Sequence, residues 1–305
     1  MRVSRGLLIK KSLAAALILL IACLTAAGLV ASAGAQSVPK QDASNPETST
    51  SGGGTVVAAH RGTGGGGVAV SEGAAETGMS KDAIVQRGTA KAVASREGVK
   101  MMLKKIHWLG HDCFRIDGDN VIYFDPLELR QGAIPADIIL ITHEHSDHCS
   151  PKDVARIQKK GTVIVTTPDC VKKLSGEIKA VKPGDTITVK GVTIEAVPAY
   201  NIDKRFHTKD KGWVGYIITV GGTRIYHAGD TDFIPEMKTF KVDIALLPVS
   251  GTYVMTAEEA VKAAETLKPQ IAIPMHYGGI IGTDKDAAAF KQKSSVPVEI
   301  LKSEK

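Results

Sequence analysis

The sequence predicts an α/β fold, a four-layer αββα sandwich, confined to residues 101–305. Three observations carry this expectation. All 14 aromatic residues fall between Trp108 and Phe290. Residues 36–100 contain no Leu, Phe, Tyr, Trp or Cys yet hold 12 of the 31 glycines, so they lack the apolar surface that would offset their ordering entropy. Beyond them, short apolar runs of strand type come first in each half and capped helices follow, which gives two β layers and helices to cover them.

The first element is not part of that core. Arg2, Arg5, Lys10 and Lys11 precede an uncharged run from Ser12 to Pro39 with an apolar centre at Leu13–Val30. A basic start, an apolar helix and the small residues Ala31-Ser32-Ala33 and Ala33-Gly34-Ala35 predict an export signal over residues 1–35. The 18 residues of Leu13–Val30 also reach the lower limit for a membrane anchor. Leu20-Ile21-Ala22-Cys23 resembles, over this short stretch, a lipoprotein acylation site. Residues 36–100 then read as a flexible linker rich in Gly, Ser and Ala. The expected location is outside the cytoplasm, by export or membrane attachment. Met101-Met102 offers an alternative start that would leave the folded part in the cytoplasm.

Partitioning the net charge of +6 removes one class of partner. Residues 1–35 carry four basic groups and no acids, residues 36–100 seven and six, and residues 101–305 27 and 26. The folded part is nearly neutral and has no basic cluster interleaved with aromatics, so no nucleic-acid partner is expected. Cys113, Cys149 and Cys170 are odd in number and lack finger spacing, which argues for buried thiols over a disulfide scaffold. A homo-oligomer is compatible with the sequence.

The folded part punctuates clearly. KKIHWLG, CFRID and NVIYFDP read as strands, the last two forming a hairpin through Asp117-Gly118-Asp119-Asn120. ADIILITH is a continuous apolar run, buried on both faces. Ser150, Pro151 and Asp153 supply an N-cap, a first-position proline and a first-turn acid, so a helix starts after HEHSDHC. GTVIVTT is another buried strand, ITVKGVTIEAVPA a hairpin through Lys190-Gly191, and GWVGYIITVGGTRIYHAGD a hairpin through Gly221-Gly222. IALLPVS precedes a capping box, Thr256 with Glu259, which opens the helix AEEAVKAAETL. QIAIPMHYG and TDKDAAAFKQK close the chain as strand and helix.

Chemistry concentrates in Thr142-His143-Glu144-His145-Ser146-Asp147-His148, with three imidazoles and a carboxylate at the end of a buried strand. These are ligand types for zinc, iron and manganese, and so dense a group is costly unless a cation organises it. His207, Asp230 and His276 are expected to join it from the ends of later apolar strands. Asp125, closing VIYFDP, could hold a metal-bound imidazole by its second nitrogen or cap the Asp-Pro turn. His111 could face the site or the substrate, or make a structural hydrogen bond. His227 and His107 read as packed strand residues, and Tyr200, Tyr253 and Tyr277 as candidate pocket walls.

THEHSDH, HAGDT and MHYG, in this order, resemble the metallo-β-lactamase fold superfamily over about Lys105 to Gly279. The similarity is greatest to its small metal-dependent hydrolases that open with a W-L-G-H strand and end with P-M-H-Y-G, the UPF0173-like group, which resembles the ascorbate-6-phosphate lactonases. The resemblance implies a binuclear site of two divalent ions, zinc first and manganese or iron as alternatives. His143 and His145 would hold the first ion, Asp147, His148 and His276 the second, and Asp230 would bridge them, with Asp147 also catalytic. Many relatives place the remaining first-metal His directly after the P-A strand end, where this chain has Pro198-Ala199-Tyr200-Asn201. His207 is the nearby replacement, and Asn201 could instead ligate through oxygen. Flavodiiron-like relatives carry a carboxylate where this chain has His145, which disfavours a redox role and leaves Glu144 pointing elsewhere.

The expected function is hydrolysis of a small-molecule lactone, cyclic ester or phosphodiester by a metal-activated water. The competing reading is a non-catalytic, exported metal- or ligand-binding domain tethered at the cell surface.

Overall fold

A computed structural model describes residues 94–305, and the candidate export segment and most of the candidate linker lie outside them. Among the described residues twelve strands form two mixed six-stranded sheets. The first sheet runs in chain order through β1 (Ile106–Trp108), β2 (Phe114–Ile116), β3 (Ile122–Phe124), β4 (Ile138–Leu140), β5 (Val163–Thr166) and β6 (Glu177–Ala180). The second has the order β12-β11-β10-β9-β8-β7, built from β7 (Thr186–Val189), β8 (Val192–Pro198), β9 (Val214–Val220), β10 (Thr223–His227), β11 (Ile244–Pro248) and β12 (Ile271–Met275).

Alternation along the inner strands divides the apolar residues between two cores. Ile138, Leu140, Val163 and Val165 belong to the large core shared with the second sheet, while Ile139, Ile141 and Ile164 face the other way. That outer face is covered by helix α2 (Pro151–Ile157) through Val154 and Ile157. Helices α1 (Arg96–Leu103), α3 (Ala257–Leu267) and α4 (Asp284–Lys293) contribute Val99, Met102, Ala260, Ala264 and Phe290 to the larger core. The α/β sandwich expected from the order of elements is therefore present, with period-two side-chain direction deciding which residues meet which layer.

Tyr216 on β9 donates from its hydroxyl to the carbonyls of Ile141 and Val165, and the Val214 N–H donates to Thr142 O, so the two sheets are tied together beside β4. Gly229, in the HAGD turn, has φ +63, and a Cβ there would lie 3.1 Å from Thr142 and 3.2 Å from Val214 O. Only glycine suits both the left-handed backbone and that close approach.

The structure moves one boundary. Residues 96–100, expected to be linker, form most of α1, capped by Ser95 and anchored by buried Val99. The Ala94 N–H donates to Asp243 and its carbonyl accepts from Gln270. A chain starting at Met101 would lose these interactions and the first five residues of the helix. Composition hid the helix, because an eight-residue amphipathic turn adjoining a Gly-rich tract needs only two core residues. Strand β6 was equally hidden, since its mostly exposed Glu177–Ala180 alternates over only four residues, with Ile178 alone packed on the core, and pairs only with β5.

Truncation of Val99 to Ala is expected to lower unfolding free energy by about 1–3 kcal/mol. Urea denaturation checks this, and an unchanged midpoint would mean that α1 does not contribute to the core.

Candidate metal centre

Parallel neighbours bring their C-terminal ends to the same edge of a sheet. Strands β3 and β4 are such a pair in the first sheet, and β10, β11 and β12 are successive parallel neighbours in the second. Asp125 follows β3, the residues from His143 to His148 follow β4, Asp230 follows β10, Ser250 follows β11 and His276 follows β12. The β1–β2 turn adds His111 and Asp112. His207, expected at a strand end, instead lies inside the long β8–β9 connection. Four of these residues occupy the left-handed region, His111 at φ 53, Asp125 at 40, His207 at 58 and His276 at 59. Non-glycine residues hold such angles only where surrounding contacts over-determine them, a property concentrated at functional sites.

One group is purely imidazole. His145 Nδ1 lies 3.1 Å from both His143 Nε2 and His207 Nε2. A tetrahedral zinc, with bonds of about 2.0–2.1 Å, spaces its nitrogen ligands about 3.3 Å apart, so these three atoms can share one cation. Asn201 lies beside His207, and its Oδ1 is buried without a hydrogen-bond partner among the described residues. Its amide nitrogen donates to the carbonyls of Phe206 and Tyr253 and so fixes the loop that carries His207.

The second group mixes nitrogen and oxygen. His148 Nε2 is 3.3 Å from Asp230 Oδ1, 3.6 Å from Asp147 Oδ2 and 3.6 Å from Asp112 Oδ2. His276 Nε2 is 3.4 Å from Asp230 Oδ2, and His207 Nε2 approaches that same oxygen at 3.1 Å. His111 Nε2 is 3.2 Å from Asp147 Oδ2. Potential ligand atoms of His111, Asp112, His148 and His276 lie within 4.8 Å of one another, as do those of His143, His148 and Asp230.

The outward ring nitrogens are held by the protein. His148 Nδ1–H donates to Asp125 Oδ2 at 2.8 Å, and His207 Nδ1–H donates to Tyr253 O at 3.1 Å. Thr142 Oγ1 donates to Asp125 Oδ2 and accepts from His143 Nδ1, while His276 Nδ1 is hydrogen-bonded with Ser250 Oγ at 2.8 Å. Each of these rings thus keeps Nε2 directed inward, the arrangement that orients metal-binding imidazoles.

Electrostatics follow from burial. Burial, reinforced by His148, holds His143 well below the ordinary imidazole range, and burial with His207 lowers His145. Burial also opposes charge on His148 and His276, yet Asp230 and its carboxylate neighbours outweigh it, raising His148 well above its usual value and His276 to about 9. Asp230 is buried too, but His148 and His276 hold it well below the carboxylate range. Asp112 goes the other way, its carboxyl pushed up by burial to about 7. Among the described residues both Asp112 oxygens lack a hydrogen-bond partner, while His148 Nε2 and Asp230 Oδ1 meet each other as an ion pair at 3.3 Å. Leaving such groups uncompensated costs on the order of several kcal/mol, and a divalent cation is the group whose charge and coordination answer all of them together.

Sequence reading did not single out Asp112 or Trp213. The Trp213 ring lies 4.6 Å from the His143 ring, 4.7 Å from that of His145 and 5.4 Å from that of His207, and its Nε1 donates to Asp169. Asp112 had one signal, two consecutive ionisable residues closing an apolar strand; Trp213 had none. His227 is a packed strand residue stacked on Phe124, and its Nε2–H donates to Asp112 O. His107 bonds Glu304 and Asp117, and Glu144 pairs with Lys173 away from the imidazoles. Tyr277 stacks on Trp108, Tyr200 donates to Glu236, and exposed Tyr253 packs edge to face on Phe206. Cys113, Cys149 and Cys170 are free, buried thiols.

Comparison with known proteins fits this geometry. A family model for the beta-lactamase superfamily domain matches residues 105–276. The chain belongs to the beta-lactamase superfamily. Within it, a UPF0173 metal-dependent hydrolase of Thermococcus kodakarensis is 34% identical over 215 residues, covering 65% of this chain and 95% of that protein. A crystal structure from Parabacteroides distasonis ATCC 8503, named for metal-dependent hydrolysis, is 39% identical with a TM-score of 0.59 and covers 65% of this chain and 93% of that one. Igni18, a metallo hydrolase of Ignicoccus hospitalis, is 26% identical with a TM-score of 0.55 over 65% of this chain and 94% of its own. The protein is a metal-dependent hydrolase of the superfamily's UPF0173 group, and the non-catalytic reading is not favoured.

The carboxylates raise His148 and His276 above the ordinary imidazole range, so cation uptake there competes with protons. Zinc affinity of the stripped protein is expected to rise with pH through the raised range of His276, at about 9. Calorimetry in buffers of different ionisation enthalpy measures the released protons, and a pH-independent affinity would contradict the protonation pattern.

Proposed function

We propose that the centre binds two divalent cations, zinc first and manganese or iron as alternatives, and hydrolyses a small lactone, cyclic ester or phosphodiester. The observation that carries this reading is Asp230, whose Oδ2 faces His207 while Oδ1 faces His148, so one carboxylate lies between the two groups of imidazoles. His143, His145 and His207 would hold one cation, Asp147, His148 and His276 the other, and Asp230 would bridge. Cations so held supply Lewis acidity, bringing water towards neutral pKa and offsetting negative charge that develops on the substrate.

The chain's own residues do the rest. His111 keeps Asp147 anionic against the opposing effect of burial, because its Nε2–H donates to Oδ2. Asp147 is the only one of the proposed carboxylate ligands that is substantially open to solvent, at 29% of its side chain, so it can take a proton from the attacking water at a carboxylate oxygen. Asp125 and Thr142 restrain His148 and His143 while this proton moves. Exposed Phe206 and Tyr253, packed 4.9 Å apart beside His207, offer an apolar wall for the organic part of a substrate. The lactone class rests on resemblance to the ascorbate-6-phosphate lactonases; phosphodiesters share the same electrophilic demand.

For location, we place the domain outside the cytoplasm, exported or membrane-attached, on the basic, apolar and small-residue order of residues 1–35. Fractionation of cells expressing the full chain tests this, and recovery only in the soluble cytoplasm would refute it.

Turnover of a panel of lactones and bis-aryl phosphodiesters, with and without chelator, is expected to reveal activity towards one class that chelation abolishes. His145→Ala and Asp147→Ala should lose cation and at least about 100-fold in turnover while keeping the far-UV circular dichroism of the parent. Full turnover by cation-depleted His145→Ala would refute the assignment.

A further inference from the structure

Asp112 closes the short turn between β1 and β2 and is fully buried. Its backbone environment is over-determined. His111 O accepts from both Trp108 Nε1 and the His276 N–H, Asp112 O accepts from His227 Nε2–H, and the Cys113 N–H donates to Gly110 O. Such fixation holds the carboxylate facing His148, with Oδ2 3.6 Å from His148 Nε2. Neither of its oxygens has a hydrogen-bond partner among the described residues. A structural aspartate in a core is normally satisfied by backbone N–H groups, as Asp125 is by Thr142 N–H and Asp153 by Glu128 and Leu129 N–H. Asp112 has fixed geometry, complete burial and two acceptors without a partner among the described residues, with ligand atoms of His111, His148 and His276 within 4.8 Å.

We infer that Asp112 is itself a ligand of the second cation, sharing it with His148 and His276 and with His111 at the edge. This rests on the two-cation reading above and adds a residue that the HxHxDH, HAGD and MHYG elements do not contain. It also widens the chemical difference between the two positions. Apart from the bridging Asp230, the first would be lined by nitrogen alone, from His143, His145 and His207, the donor set that suits zinc, whereas Asp112 would join Asp147 in bringing oxygen to the other and favour a harder cation such as manganese or iron(II) there.

The test uses the full chain, stripped with chelator and titrated with Zn(II) and with Mn(II) against a chromophoric competitor, with bound metal counted by mass spectrometry. Wild type is expected to hold two equivalents. Asp112→Ala should retain the all-imidazole position and lose the second cation, and Asp112→Asn, which keeps the volume, should weaken that cation by at least about 10-fold. His145→Ala should show the complementary loss. Two equivalents bound with unchanged affinity in both Asp112 variants would overturn the inference and leave the two-cation reading standing, whereas a wild type that binds no cation would defeat that reading itself. Should the variants fail to fold, a metal-loaded crystal of the wild-type chain decides. The inference requires a cation about 2.0–2.2 Å from an Asp112 oxygen, and a coordination shell without Asp112 overturns it.

Discussion

Concentrating imidazoles and carboxylates in a largely buried, low-dielectric cluster is the constraint on which the rest of the molecule turns. His111, Asp112, His143, His148, His207, Asp230 and His276 are all buried, and several of their inward atoms have no hydrogen-bond partner among the described residues. Without compensating charge the cluster works against folding, as the upward displacement of Asp112 and the opposed shifts of His143 and His148 record. The sandwich tolerates this because two sheets, tied across by Tyr216 and Val214, absorb the cost in a large apolar core.

The same scaffold explains the precision of the site. Strands that end together deliver side chains from Asp125, His143, Asp230 and His276 without long searching loops. Outside the ring of inward atoms runs a ring of restraints, with Asp125 on His148, Thr142 on His143, Ser250 on His276 and the Tyr253 carbonyl on His207. Left-handed backbone at His111, Asp125, His207 and His276 is held by these contacts and stores local strain where orientation matters most.

Much of this was legible in the sequence for physical reasons. Strands β1 to β5 and β7 to β12 announced themselves by apolar runs and turn residues, and α2 and α3 by their caps, because those signals are local. The density of His143, His145, Asp147 and His148 marked the centre, since no core keeps such a group without cause. What escaped was non-local. Helix α1 depends on Val99 finding a core formed by residues far along the chain, and edge strand β6 depends on β5 for its existence. Asp112 looks like an ordinary turn aspartate until the fold closes around it. His207 was named as the nearby replacement in the ligand set that the resemblance implies, but its place in a loop held by Asn201 was not legible, because amide-to-carbonyl bonds leave no periodic trace.

Trp213 has a consequence of a different kind. An indole packed against three imidazoles reports their electronic state, since a neutral ring and a charged one quench its emission differently. The protein has only one other tryptophan, Trp108, stacked on Tyr277. A cation held by these three imidazoles would therefore have a built-in fluorophore beside it, and its binding could be followed optically in the unlabelled native chain.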